Sequence, residues 1–136
     1  MLHAMTGELY WALATAFMTS IFWVPHIAMR IVEMKPYAAF RDPYHDQPTL
    51  AAWAQRAIRA HTNAVENLAV FGMFALAIQV LGASSPTTVL AAKVYFFARL
   101  CHFCIYTLGV PWLRTPVYLV GFAAQTMMAA RLAGLL

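Results

Sequence analysis

The chain carries little charge for its length. Of its 136 residues, nine are Lys or Arg and five are Asp or Glu, so only 10% are charged, whereas soluble domains carry about 25%. The apolar share is 62% and the mean hydropathy is +0.65. These values indicate an integral membrane protein with helical spans, because backbone groups in lipid have no water to bond.

The sequence also lacks the patterns of several function classes. Its basic residues are scattered among apolar runs, which excludes nucleic-acid binding of the kind that needs clustered Lys and Arg. It contains no His-Glu-x-x-His, no glycine-rich phosphate loop and no Gly-x-Ser-x-Gly. Cys101 and Cys104 fit no redox or haem motif, so we interpret them as small apolar side chains. His45 and Asp46 lack further ligands, so no metal site is expected.

Four apolar segments are long enough to cross a bilayer, which takes about 20 residues of helix. They predict one all-α domain over residues 1–136, an integral membrane four-helix bundle with spans at about 9–29, 50–81, 87–108 and 116–134. Pro25 should kink the first span, and Thr115 before Pro116 should cap the fourth. The proline-containing stretch from Arg30 to Leu50 is expected to be an extended loop.

The basic residues predict how these spans are oriented. The first connection, counted to the membrane entry, holds five of them, the third holds Arg114, and the second holds none before Lys93. Because cytoplasmic connections carry the excess of Lys and Arg, the first and third connections should face the cytoplasm, with both termini on the other side. We expect a multi-pass protein of the bacterial inner membrane or an endoplasmic reticulum-type membrane.

The second span begins with an unusually polar helical face. Within an arc of about 100° it presents Arg56, Arg59, Asn63, Glu66 and Asn67. Glu66 is the only carboxylate expected within a span, so a mechanism that uses paired carboxylates is unavailable. An unpaired charge at that depth costs several kcal/mol, so the face needs partners or a ligand.

Polar groups on the later spans converge on the same end of the bundle. The third span presents Tyr95, Arg99, His102 and Tyr106 within an arc of about 60°. Arg114 stands at the mouth of the fourth span, followed by Tyr118. Guanidinium groups bind carboxylates through two hydrogen bonds, and Glu66 can hold an ammonium group, so the set suits a small anion. In the alternative, Glu66 only neutralises a buried arginine.

The segment from Arg56 to Asn67 resembles the second-helix signature of the MAPEG family, the membrane-associated proteins of eicosanoid and glutathione metabolism. The shared pattern is Arg-x-x-Arg-Ala-His/Gln-x-Asn-x-x-Glu. Phe97-Ala98-Arg99-Leu100 followed by His102 and Tyr106, and Arg114 four residues before Tyr118, match as well. The resemblance covers essentially the whole chain, and the members that the chain resembles are the microsomal glutathione transferases.

The resemblance implies a homotrimer that binds glutathione as co-substrate between subunits, near the cytoplasmic side. Arg114 matches the arginine that stabilises the glutathione thiolate, so it is the expected catalytic residue. Glu66 would hold the amino group of glutathione. The full set of expected glutathione contacts is Arg30, Arg59, Asn63, Glu66, His102, Tyr106 and Tyr118.

The implied activity is transfer of glutathione to a lipophilic electrophile supplied by the membrane, with glutathione-dependent reduction of lipid hydroperoxides as a further possibility. Thr62 stands where the prostaglandin E synthase members have arginine, which argues against that activity, whereas Thr115 keeps the hydroxyl of the serine that those members have after the matching arginine. Two alternatives remain open: a non-catalytic relative that binds or presents lipids, and a small transporter. The transporter is disfavoured because the sequence shows no internal repeat.

Overall fold

The computed structural model describes residues 4–41 and 49–136. All regular structure in these residues is helical, which confirms the all-α prediction there. The helices are α1 Gly7–Ile21, α2 Val24–Met34, α3 Pro36–Arg41, α4 Ala52–Leu81, α5 Pro86–Leu108 and α6 Pro111–Leu132. In this part of the chain, three stretches are long and apolar enough to cross a membrane: Gly7–Met34, Ala52–Leu81 and Pro86–Leu108.

The first membrane stretch is broken into two helices rather than merely kinked. Pro25 has no N–H, and its ring would clash with the carbonyl of Ile21 in a continuous helix, so α1 ends there. The N–H of Phe22 instead bonds to the carbonyl of Thr19 at 3.2 Å, which closes the last turn tightly. The α2 helix then starts at Val24. It packs differently from α1: α2 contacts α4, whereas α1 contacts both α4 and α5.

The prediction of an extended loop from Arg30 onward is wrong for its first part. The α2 helix continues to Met34, and α3 occupies Pro36–Arg41. Pro36 does not prevent this, since a proline in the first helical position lacks an N–H that would have had no helical partner. Residues 42–48, with His45 and Asp46, lie outside the described residues.

The last helix begins earlier than expected. Gly109, with φ of 78°, ends α5, and Pro111 starts α6, so only two residues connect the helices. Thr115 is therefore inside α6 and not its cap, and Pro116 is accommodated within the helix. The prediction failed because both prolines carry the same helix-start signal, and the first of them is used.

Small residues allow the helices to pack closely. One face of α4 presents buried alanines at a spacing of three to four residues, namely Ala54, Ala57, Ala60 and Ala64. Such residues let helix backbones approach each other in a membrane. The α5 helix contacts α1, α4 and α6, and α4 contacts α6 as well. Both Cys101 and Cys104 lie on the exposed surface of α5.

The core consists of two clusters of buried apolar side chains, and each cluster contains a stacked aromatic pair. Phe71 of α4 stacks on Tyr95 of α5 with ring centroids 3.8 Å apart. Phe22, at the break after α1, stacks on Phe103 of α5 at 3.9 Å. Tyr106 packs against the cluster of buried side chains that contains Phe22 and Phe103. This cluster therefore supports the polar groups at the end of α5.

A buried carboxylate joins α1 to the start of α5. Thr6 caps α1, so the helix starts at Gly7 and Glu8 lies inside a membrane-capable stretch, contrary to the expectation that Glu66 is the only such carboxylate. Glu8 is fully buried and accepts hydrogen bonds from the hydroxyls of Thr88 and Ser84 and from the N–H of Ser85. These donors satisfy its charge without a cation.

Glu8→Ala should destabilise the fold by about 1.5–3 kcal/mol, because three donors lose a charged acceptor. The measurement is the midpoint of thermal unfolding in mild detergent. Thr126→Ala is the control, since that exposed hydroxyl bonds only to a carbonyl of its own helix. Equal midpoints for the two variants would show that the Glu8 cluster contributes nothing.

Candidate functional site

A polar cavity of about 270 Å³ lies between α4, α5 and α6, at the end of the bundle where α4 starts and α5 ends. It is lined by Asn63, His102, Tyr106, Arg114, Thr115 and Tyr118. All of these except Thr115 belong to the set expected from the sequence. The fold thus brings an amide, an imidazole, two phenols and a guanidinium to one space.

Arg114, the cation of this cavity, packs against a group of aromatic rings through Tyr106. The guanidinium of Arg114 lies over the ring of Tyr106 at 4.9 Å from its centroid, a cation–π contact. The ring of His102 lies 5.6 Å from that of Tyr106 and 6.0 Å from that of Tyr118. The contact with Tyr106 leaves the N–H donors of Arg114 at the edge of the guanidinium plane, where they can reach an anionic ligand.

Arg99 belongs to the polar face predicted for the third span, but it is not among the expected glutathione contacts. It is buried, and its Nη2 donates to the Oδ1 of Asn63 at 2.6 Å and to the backbone carbonyl of Asn63 at 3.1 Å. It also lies over the ring of Tyr118 at 5.7 Å. Its place on one face with His102 was visible in the sequence, but its partner on α4 was not.

The contact with Arg99 determines which way the amide of Asn63 points. Arginine can only donate, so the atom 2.6 Å away must be the amide oxygen. The amide nitrogen is then a donor, and in residues 4–41 and 49–136 it makes no hydrogen bond. Asn63 therefore offers an N–H donor to a carbonyl or carboxylate bound in the cavity.

Three residues of the expected set do not line the cavity. Arg59 and Glu66 lie on the exposed surface of α4, and Arg30 is buried in α2. Their roles as glutathione contacts stay predictions. Within a single chain, the cavity therefore contains the donors expected to bind the sulfur and the backbone of glutathione. The Glu66 carboxylate, expected at the amino group of glutathione, lies outside the cavity.

The sequence of this chain matches a family model described as the MAPEG family over residues 9–134. The chain belongs to the MAPEG family. The match spans nearly all 136 residues, so the predicted membership is confirmed. No curated protein and no solved structure matches this MAPEG protein. Membership and the three long apolar helices make it a membrane protein.

Proposed function

We propose that this MAPEG protein is a membrane-bound glutathione transferase, which joins the sulfur of glutathione to a lipophilic electrophile. The observation that carries the proposal is the cavity between α4, α5 and α6, where Arg114 meets His102, Tyr106 and Tyr118. Glutathione is a small peptide with two carboxylates and an ammonium group, and such a ligand is recognised by guanidinium and amide donors.

The chemistry assigned to Arg114 is stabilisation of the thiolate. A thiol with an ordinary pKa of about 8.5 is mostly protonated at neutral pH, and a neighbouring cation favours the deprotonated nucleophile. The thiol proton leaves to water, the thiolate forms the carbon–sulfur bond, and the leaving group departs with the electron pair of the bond that breaks. A phenol at the cavity can donate a hydrogen bond to the sulfur as charge develops.

The α6 helix serves in this proposal as a fourth span. Its 22 residues extend about 33 Å, enough to cross a hydrocarbon core of about 30 Å. The end that carries the cavity also carries Arg56 and Arg114, so the site should face the cytoplasm. The electrophile then reaches the site from the lipid, while glutathione enters from water.

We further propose that the functional unit is a homotrimer. Arg59 and Glu66 are exposed on α4, within a stretch apolar enough to lie in the membrane. Charged side chains on a lipid-facing surface are costly, whereas a neighbouring subunit with a bound ligand satisfies them. A subunit boundary at this face would also bring the Glu66 carboxylate to the amino end of glutathione.

Active protein in mild detergent should have the mass of three subunits after correction for bound detergent. The measurement is light scattering on the fraction that turns over glutathione. The comparison is the double variant in which Leu replaces both Arg59 and Glu66, because this variant removes both charges and leaves an apolar surface. A single-subunit mass in active wild-type protein would exclude a site shared between subunits.

The function itself is tested by thiolate formation. Adding glutathione to purified protein should raise the ultraviolet absorbance of the thiolate, and Arg114→Ala should abolish the rise. Glu66→Gln should keep the full amplitude but require at least about tenfold more glutathione, since a lost charged hydrogen bond costs about 1.5–3 kcal/mol. The analogue with a hydroxyl in place of the thiol is the control. No rise in wild-type protein would favour the lipid-binding alternative.

A further inference from the structure

A second cavity, of about 160 Å³, lies beside the proposed active site. Its lining consists of Arg56, Tyr106, Gly109, Val110, Pro111 and Arg114. Tyr106 and Arg114 line both this cavity and the larger one, so the two cavities are adjacent. Two guanidinium groups therefore face a small space, and no acidic side chain lines it among the residues that the structure describes.

Arg56 is fixed at this cavity by the connection between α5 and α6. Its Nε donates to the carbonyl of Thr107 at 3.0 Å. Its guanidinium lies against Gly109, where an added Cβ would be 2.9 Å from Cζ, so a side chain at this position would displace the guanidinium. The terminal nitrogens of Arg56 make no hydrogen bond within the described residues. They remain as donors for an anion.

The length of α5 places this cavity at the level of lipid headgroups. The 23 residues of α5 extend about 34 Å, so the end of the helix at Leu108 reaches the membrane boundary. Leu108 is 73% exposed and Trp112 is 86% exposed. An exposed tryptophan at a helix end is typical of the zone where acyl chains meet headgroups.

We propose that this cavity binds the phosphodiester of a net anionic glycerophospholipid, held by Arg56 and Arg114. Guanidinium groups match phosphate oxygens with paired hydrogen bonds, and phosphodiesters are the abundant anions at this depth. The ammonium of a zwitterionic headgroup would find no carboxylate here, so a headgroup without it is preferred. The acyl chains lie along the exposed apolar side chains of Leu108 and Trp112.

The lipid site goes beyond glutathione chemistry and does not depend on it. Because Arg114 lines both cavities, a phosphate bound in the smaller one contacts the same side chain that borders the larger one. The bound lipid thus becomes part of the wall of the proposed active site. Its binding is measured directly, without any activity.

The test is native mass spectrometry of delipidated protein titrated with phosphatidylglycerol, with phosphatidylethanolamine, and with diacylglycerol of the same chains. Phosphatidylglycerol should bind about tenfold more tightly than diacylglycerol and more tightly than phosphatidylethanolamine. Arg56→Gln should remove most of this preference. Lys93→Gln is the matched control, because it deletes an exposed cation on α5 away from the cavity and should leave the preference intact.

Two further variants keep the charge. Arg56→Lys should bind phosphatidylglycerol less tightly than wild type, since an ammonium lacks the paired donors. Gly109→Asn should weaken binding too, because its Cβ displaces the guanidinium of Arg56. Equal preference in wild type and any folded Arg56 variant would overturn the site. Displacement of the lipid by an equal concentration of soluble glycerophosphoglycerol would reassign the cavity to a free phosphate compound and overturn the lipid proposal.

Discussion

Arg114→Ala should lower turnover with a generic aryl halide by about 10²-fold, while glutathione affinity changes by less than about threefold. The two effects separate because the guanidinium interacts weakly with a neutral thiol and strongly with the thiolate. In the proposed site, the rest of glutathione is bound by other groups, including the amide of Asn63, which lines the cavity. The measurements are steady-state turnover and calorimetric binding on the same preparation.

Arg114→Lys distinguishes a catalytic role from a topological one. If Arg114 only set the orientation of α6, lysine would serve equally, because either cation counts in that rule. For a thiolate stabiliser held over the Tyr106 ring, a point charge with different reach should cost about tenfold in turnover. Arg131→Ala is the control, since that arginine lies on α6 but bonds to the carbonyl of Ala83. Equal turnover in wild type and both Arg114 variants would move the function to lipid binding.

Arg99→Met should weaken glutathione binding by about tenfold or more, although Arg99 does not line the cavity. The lost hydrogen bonds release the Asn63 side chain, so its amide nitrogen is no longer held as a donor. Methionine fills most of the volume, which limits the damage to packing. We expect the thiolate absorbance at saturating glutathione to be largely kept, because Arg114 is unchanged.

Arg99→Lys is the comparison, because lysine keeps the positive charge but is shorter and lacks the planar guanidinium, whose Nη2 donates to both the Oδ1 and the backbone carbonyl of Asn63. Its affinity should lie between those of wild type and Arg99→Met. Circular dichroism and the unfolding midpoint show whether a variant is folded. Wild-type affinity in folded Arg99→Met would mean that Asn63 is oriented without Arg99 or does not contact glutathione.

Helix ends are readable from the sequence where one local signal stands alone. The α4 helix ends at Leu81 before Gly82, whose φ of 62° suits a residue without Cβ. The α5 helix starts at Pro86 behind Ser85, which forms a capping box with Thr88. The start of α6 was mispredicted because two prolines competed there, and the choice between them depends on how short a connection the packed helices allow.

The sequence predicts which side chains of α5 share one helical face, but not which residues of α4 lie opposite them. Helical periodicity alone places Arg99, His102 and Tyr106 together on α5. Which residue of α4 they meet depends on the rotation and height at which the alanine face of α4 packs, and these are tertiary properties. Asn63 consequently meets Arg99, whereas Glu66, one turn further on the same face, is exposed.

The burial of Glu8 has a consequence for biosynthesis. Its partner Thr88 lies 80 residues later in the chain, and ribosomes add about 5–20 residues per second. The carboxylate therefore waits roughly 4–16 s for the hydroxyls that satisfy it. Until then, water or the headgroup zone must solvate Glu8, which keeps the N-terminal end of α1 from settling into the membrane. The α1 helix is thus fixed at that end only after the start of α5 has emerged.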